Sequence, residues 1–298
     1  MGSEIEQTRP ASTTVRSWLD NDRTREMLRD ALAGWMDPAT FAAQCYLAAR
    51  DPKLAGCSAE SMFAAFLRCA EMGLLPSTHH RHVALIPRKV RDRNGRDTGE
   101  IAIDPMPQWQ GFKALFEREP EVQQTRAVLV HTRDVFAIGV DGVPVHTFDP
   151  LDPARLFEHP AIATKASPPR ECGLRGGYLV VTFRDATRAP IYHVVPAHKI
   201  HANRLCAGKQ DVWVQWFEEM CLKTIYRDAW AKRAVPVSIE VGTRMAAADA
   251  ADNAALENEP SRRGPRTIAA ALAPREIAAP VIDATPATEP THERGPER

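Results

Sequence analysis

Apolar residues recur every three or four positions in the first quarter of the chain, and this spacing predicts helices. One helix is expected from about residue 24 to 35, with an apolar face made of Met27, Leu28, Ala31, Leu32 and Trp35. Asp37 followed by Pro38 is typical of a helix N-cap and first helical position, and predicts a second helix. A third helix is predicted to begin at Ser58 and to stop at Gly73, before Pro76.

The middle of the chain changes to short apolar runs separated by turn residues, which predicts antiparallel hairpins. The predicted hairpins join residues 82–87 to 100–103, 135–140 to 143–148, and 178–184 to 191–195. Asn94-Gly95 and Asp141-Gly142 mark the first two turns, because both dipeptides tolerate positive φ. A short helix is expected over residues 109–116 and a long one from about Asp211 to Arg233. Helices followed by hairpins and further helices predict the α+β class.

The two ends of the chain differ from its middle. Residues 1–20 are predicted to form a disordered arm, residues 21–245 the folded core, and residues 246–298 a disordered tail rich in Ala, Pro and Glu. No aromatic residue follows Trp230, so the tail can bury little apolar surface. It carries nine acidic and six basic residues, and its apolar patch at 268–272 makes it a candidate partner-binding segment.

Composition excludes several classes of protein. Lys and Arg together number 38, as do Asp and Glu, which excludes a globally basic protein but not a local basic groove. The sequence has no apolar run long enough to cross a membrane, and its first ten residues are polar, so we expect a cytoplasmic protein. The six cysteines form no C-x-x-C pair and are expected to be reduced.

Motifs for bond-making chemistry are not apparent in the sequence. Gly208-Lys209 is followed by Gln210, whereas a phosphate-binding loop requires Ser or Thr at that position. His79, His80 and His82 resemble part of a metal site, but adjacent histidines seldom point the same way and no H-E-x-x-H motif accompanies them. We therefore expect no cofactor, no metal and no catalytic residue.

Positive charge is concentrated in one part of the sequence. Residues 165–233 contain twelve Lys or Arg and only six Asp or Glu. Within the predicted long helix, Lys223, Arg227 and Trp230 fall on one flank of the apolar stripe. Cations beside an aromatic ring suit a single nucleic-acid strand, since cations neutralise phosphates and rings stack on bases. The same pattern fits a buried Trp230 beside two solvated cations equally well.

Three segments of the sequence resemble the RecT family of phage recombinases. Residues 62–76 followed by 82–87 resemble its opening motif, in which a helix ends in Gly-Leu-x-Pro and a strand begins at a histidine. Residues 108–112 are similar to its Gly-Tyr-Arg-Gly segment, although Gln110 replaces the usual arginine. Residues 213–227, followed by 235–240, resemble its closing motif. The three segments occur in the family's order.

The resemblance implies a protein that binds single-stranded DNA and anneals complementary strands without ATP during homologous recombination. It implies a homo-oligomeric ring or filament that also holds the annealed duplex. It further implies a phage exonuclease and the host single-strand binding protein as partners.

Annealing requires mainly that the repulsion between two polyanions be lowered, which lysine and arginine side chains can do. The expected backbone contacts are Arg88, Lys89, Lys113, Lys199, Lys223 and Arg227. Trp109 and Phe112 could each stack on a base or pack in the core, and we expect stacking for one of them. Two alternatives remain open from sequence: a metal-dependent DNA nuclease, and a passive protein that coats single strands.

Overall fold

Four α-helices precede the first strand, and five more follow among the described residues. The computed structural model describes residues 11–76, 79–91, 96–152, 173–207 and 211–257. The helices before the first strand are α1 (Ala11–Leu19), α2 (Asp22–Leu32), α3 (Pro38–Ala48) and α4 (Ala59–Glu71). The later helices are α5 (Trp109–Glu117), α6 (Ala197–Cys206), α7 (Asp211–Gln215), α8 (Phe217–Ala231) and α9 (Ile239–Glu257).

The caps predicted for α3 and α4 are confirmed. Asp37 Oδ2 accepts a hydrogen bond from the Thr40 backbone N–H at 2.8 Å, and Ser58 Oγ accepts one from Ser61 N–H at 3.2 Å. Each bond satisfies an N–H that has no partner inside its helix. Helix α1 lies where a disordered arm was predicted, and its Val15 is buried. Residues 1–10 of that arm lie outside the described residues.

Seven strands form three antiparallel sheets in the described part of the chain. The strands are β1 (Val83–Arg91), β2 (Asp97–Pro107), β3 (Val122–His131), β4 (Val135–Ile138), β5 (Pro144–Thr147), β6 (Leu174–Phe183) and β7 (Ile191–Pro196). β1 pairs with β2, β4 with β5, and the third sheet has the order β3-β6-β7. The three predicted hairpins are therefore confirmed, although the Asn94-Gly95 turn itself lies outside the described residues. Strand β3 was not predicted.

The core lies between the three-stranded sheet and the helices α5 and α8. Phe112 and Phe116 on α5 and Ile225 and Tyr226 on α8 are all fully buried there. Tyr226 reaches the sheet, where its hydroxyl lies 3.4 Å from Thr125 Oγ1 of β3. The α+β class predicted from the sequence is thus observed, with helices covering one face of an antiparallel sheet.

The predicted long helix is interrupted at Trp216. Its backbone leaves the helical region there (φ −127°, ψ 45°), which separates α7 from α8. The change in direction allows Trp213 and Phe217 to be buried together, while Trp216 is 46 % exposed. Trp216 is therefore not part of the buried face that Trp213 and Phe217 share.

Helix α9 also differs from the prediction. It continues to Glu257, whereas the predicted core ended at residue 245. Val241, Met245 and Ala248 are buried along it, so alanine-rich sequence past the predicted boundary packs on the core. Residues 258–298 of the predicted tail lie outside the described residues.

Arg244 of α9 joins the C-terminal ends of α2 and α4. Its NH1 donates to the carbonyls of Ala70 (3.0 Å) and Glu71 (3.1 Å), and its NH2 donates to Leu32 O at 2.9 Å. The guanidinium carbon lies 4.6 Å from the ring centroid of Trp35. A cation is favourable here because the carbonyls at a helix C-terminus carry partial negative charge.

Replacing Arg244 with alanine is expected to lower the free energy of unfolding by about 3 kcal/mol, since hydrogen bonds to a charged donor contribute roughly 1.5–3 kcal/mol and the buried carbonyls would lose their donors. Urea unfolding followed by circular dichroism measures the change. Arg68→Ala is the control, because Arg68 is exposed on α4 and its loss should change stability by less than about 0.5 kcal/mol. Equal stability of the Arg244→Ala variant and the wild type would contradict this role.

Candidate nucleic-acid interface

The eight residues predicted to contact DNA lie on four different elements. Arg88 and Lys89 are on β1, Lys199 is on α6, and the others are on α5 and α8. The six cations among them share one property that the sequence did not reveal. Each lies within ion-pair distance of a carboxylate of the same chain.

Two of these pairs lie on the β1–β2 hairpin and differ in exposure. Arg88 Nε lies 2.8 Å from Asp104 Oδ2, and both side chains are about 15 % exposed. Lys89 Nζ lies 2.8 Å from Asp97 Oδ2, but the Lys89 side chain is 73 % exposed. Exposed ion pairs contribute little to stability and exchange readily. Lys89 is therefore the more accessible of the two to an incoming phosphate.

Lys113 holds α5 against β3. Its amine donates to Glu117 and, at 2.8 Å, to the carbonyl of Thr125. The same Glu117 carboxylate accepts the Thr125 backbone N–H at 2.7 Å. The Lys113 amine thus helps to hold α5 and β3 together in the described structure.

Lys199 belongs to a smaller cluster between α6, β7 and α8. Asp228 Oδ2 lies 2.8 Å from His193 Nε2, and its Oδ1 lies 3.7 Å from Lys199 Nζ. Burial acts to raise the pKa of Asp228, but the His193 hydrogen bond and the Lys199 charge outweigh it and lower that pKa below the ordinary value. Asp228 therefore stays ionised and competes for the lysine.

Lys223 and Arg227 are covered by the last described turns of α9. The Lys223 amine makes a short hydrogen bond to Asp252, and the two side chains are 6 % and 4 % exposed. Arg227 Nε donates to Asp249 Oδ1 at 2.8 Å, its NH1 to Asp252 Oδ2 at 2.6 Å, and its NH2 to Asn253 Oδ1 at 2.8 Å. Two carboxylates thus occupy the positions around these cations that phosphates would take. We call this group, Lys223, Arg227, Asp249, Asp252 and Asn253, the α9 clamp.

The electrostatics of the α9 clamp reflect its burial. Burial lowers the pKa of Lys223, although Asp252 partly offsets this. For Arg227, burial also acts to lower the pKa, but the charges of Asp252 and Asp249 raise it above its ordinary value. A cavity of about 70 Å³, bordered by Met106 and Trp213, lies beside the clamp.

The two aromatic candidates are placed differently. Phe112 is fully buried in the core, which favours the packing alternative for this side chain. Trp109 is partly buried and its ring is nearly parallel to that of Tyr226, with centroids 6.2 Å apart. Base stacking by Trp109 stays a prediction. Trp230 is partly buried against the core instead of standing free beside the two cations.

Glycines in two of the segments that resemble family motifs make close contacts with the rest of the chain. Trp35 Nε1 donates to Gly73 O at 3.1 Å, and Arg118 donates to the same carbonyl. A Cβ on Gly73, whose φ is +66°, would lie 2.4 Å from Trp35 Nε1. A Cβ on Gly111 would lie 2.5 Å from the carbonyl oxygen of His82. Both glycines therefore allow close packing that any side chain would prevent.

The histidines at the start of β1 do not assemble into a metal site. His79 and His80 are exposed, while His82 is half-buried. Burial, together with the charges of Arg118 and His80, lowers the pKa of His82 to about 4. Across the described ranges, no group of three or more His, Cys, Asp or Glu side chains is arranged to hold a metal ion. Nor does any described helix have the length and apolar character needed to span a membrane.

The described structure is that of an α+β protein with antiparallel sheets. Each of the six lysine and arginine side chains predicted to contact DNA is held by a carboxylate. Comparison with known families is more specific. The RecT family model matches residues 38–263, well over half of the chain, and this protein belongs to that family. The match extends through α9 and so includes both carboxylates of the α9 clamp.

A curated relative agrees with the family assignment. Protein RecT of Escherichia coli (strain K12) is 26 % identical over 193 residues, which cover 64 % of this chain and 63 % of the relative. The chain thus spans less than two thirds of that relative's length.

Gly111→Ala and Gly242→Ala are expected to have opposite effects on stability, although both residues lie in helices. The Gly111 Cβ would collide with the His82 backbone, so this substitution should lower the free energy of unfolding by roughly 1–3 kcal/mol. A Cβ on Gly242 would lie 3.7 Å from its nearest atom, an ordinary contact distance. Alanine at this position should therefore raise the free energy of unfolding by about 0.5–1 kcal/mol. Urea unfolding of both variants tests the close approach, and a stabilised Gly111→Ala protein would disprove it.

Proposed function

We propose that this protein binds single-stranded DNA and anneals complementary strands, without ATP, in homologous recombination of the phage type. The observation that supports this most directly is membership of the RecT family over residues 38–263. The name of the relative from Escherichia coli, Protein RecT, agrees with it. The proposal includes a cytoplasmic homo-oligomer, and an exonuclease and a single-strand binding protein as partners.

The physical task of such a protein is to bring two polyanions together. Lysine and arginine contacts neutralise phosphates and release counterions, and this supplies much of the affinity. Sequence is then read by base pairing, so the protein needs to contact backbone and leave base edges open. In this role Arg88, Lys89, Lys113, Lys199, Lys223 and Arg227 contact phosphates, and Trp109 stacks on a base.

Each proposed cation has a carboxylate partner in the described structure, so DNA binding proceeds by exchange. A phosphate replaces Asp97 at Lys89 with little cost, because that pair is exposed. At Lys223 and Arg227 the phosphates must displace Asp249 and Asp252. That exchange requires the end of α9 to move away from α8.

An annealing assay tests the proposed activity. Complementary strands should pair faster with the protein than without it, and equally fast in EDTA as with ATP and magnesium. A strict ATP requirement would contradict the proposal. Degradation of a labelled strand on adding magnesium would favour a nuclease, and binding without faster pairing would favour a passive coating protein.

A second assay tests the exchange at the α9 clamp. Asp249→Asn combined with Asp252→Asn removes the competing charges but keeps an acceptor for each hydrogen bond. Affinity for single strands should rise. The slope of log K against log salt concentration should become steeper by up to about 1.4, because Lys223 and Arg227 would each gain a phosphate contact and each such contact contributes about 0.7 for single strands.

The controls separate charge from folding. Asp97→Asn neutralises a carboxylate beside exposed Lys89 and should have a smaller effect. Circular dichroism confirms folding, because neutralising Asp252 leaves a buried lysine without its counter-charge. Asp249→Asn alone is the milder variant, as that side chain is 32 % exposed. An unchanged affinity and salt slope in folded variants would remove Lys223 and Arg227 from the DNA site.

A further inference from the structure

The β4–β5 hairpin has an apolar face that does not pack against the three-stranded sheet. Cross-strand neighbours Ala137 and Val145 lie on the same face as Val135. Val135 is 70 % and Val145 61 % exposed, and Val140 at the turn is fully exposed. Of the twelve large hydrophobic residues exposed in the described ranges, six lie between positions 135 and 151. A concentration of this kind is typical of an interaction surface.

The opposite face fixes the hairpin to the sheet. His146 Nε2 lies 2.9 Å from Asp134 Oδ2, its Nδ1 lies 3.2 Å from the Tyr178 hydroxyl, and both the histidine and aspartate side chains are buried. The Phe136 ring stacks on Tyr178 with centroids 5.8 Å apart. The hairpin is therefore held in place while its other face, the hairpin face of Val135, Ala137 and Val145, remains exposed, with Val140 exposed at the adjoining turn.

The charge of this segment argues against DNA as its occupant. Residues 134–152 contain four aspartates and no lysine or arginine. Asp134 is buried against His146 and Asp152 pairs with Arg133, so the exposed negative charge comes from Asp141 and Asp149. Exposed strand edges are usually protected by lysine or by a covering element, and an isolated two-stranded ribbon is only marginally stable in water. Within the described residues, neither outer edge of this ribbon pairs with a third strand. An apolar, acidic ribbon of this kind fits a protein surface.

A matching surface lies at the other end of the sequence. Helices α1, α2 and α3 border an open groove of about 780 Å³, with Leu28 and Tyr46 among its apolar lining residues. Three arginines, Arg16, Arg25 and Arg29, and two aspartates also line it. Asp20 pairs with Arg16 and Arg25, so the lining keeps a net charge of only +1, opposite in sign to that of the hairpin. We call this the helical groove.

We propose that the hairpin face of one copy docks in the helical groove of a second copy. The two surfaces are different, so the contact is head-to-tail and each copy leaves one hairpin and one groove free. Repeated contacts of this kind close into a ring or extend as a filament. The inference rests on the homo-oligomer of the proposed function and assigns the surfaces that form it.

A mixing experiment with two variants tests the pairing. Val145→Arg places a charge on the hairpin face, and Ala43→Arg places one at an exposed position in the helical groove. In sedimentation velocity, with and without single-stranded DNA, each variant alone should require at least ~10-fold more protein for half-assembly than the wild type, a loss typical of residues important to an interface. Ile239→Arg, at a position 91 % exposed on α9, should assemble like the wild type.

The mixture gives the decisive result. The Val145→Arg copy keeps an intact groove and the Ala43→Arg copy an intact hairpin, so mixing them should yield one-to-one dimers that grow no further. A mixture that remains monomeric would overturn the proposal. So would wild-type assembly by the Ala43→Arg variant, which would mean that the hairpin face pairs with itself or with another protein, or that residues 1–10 of the same chain fill the groove.

Folding and function are kept separate in this design. A variant that loses its cooperative thermal transition is replaced by Val135→Arg for the hairpin face or Ala39→Arg for the groove, since both positions are exposed. Annealing is measured independently on the wild type. Failure of the mixing experiment with annealing intact would reject these surfaces alone, whereas loss of annealing activity in an assembled protein would reject the proposed function.

Discussion

The position of Arg244 organises the rest of the structure. A single guanidinium satisfies carbonyls at the ends of α2 and α4, more than 170 residues away in the sequence. It stacks on one side of Trp35, and Arg118 lies at the same 4.6 Å distance from that ring. Burial and the charge of Arg244 lower the pKa of Arg118 to about 10, still well above neutrality, so both cations remain charged. The N-terminal helices, α5 and α9 are thereby joined at one aromatic side chain.

Fixing α9 at Arg244 determines what its next turns contact. Asp249 and Asp252 follow Arg244 by five and eight residues along the same helix. Because the helix is rigid over that distance, its anchored end places these carboxylates over Lys223 and Arg227. The α9 clamp is therefore a consequence of packing some distance away. Movement of α9 away from Lys223 and Arg227 would be easiest beyond Ala248, the last fully buried apolar residue among the helix positions whose burial is described.

Local patterns predicted the capped helices and the hairpins because the information lies within a few residues. Asp37 caps α3 through Thr40, three positions away, and Asp141-Gly142 forms its turn between paired strands. Strand β3, helix α9 and the ion pairs depend on partners far away in sequence, which periodicity does not report. Lys223 illustrates the difference. Its position on the flank of the helix was predicted, but its buried bond to Asp252, 29 residues later, was not.

Under the proposed function, carboxylate partners at every proposed phosphate contact would allow the protein to hold DNA without trapping it. A free groove of six cations would bind a strand tightly and resist its transfer into a duplex. When each phosphate must replace a carboxylate, part of the electrostatic gain is spent on separating the existing pair. In the proposed exchange, the exposed pair at Lys89 would open first and the buried α9 clamp last. Graded exchange of this kind would let a strand bind initially at the β1–β2 hairpin and be held fully only after α9 has moved.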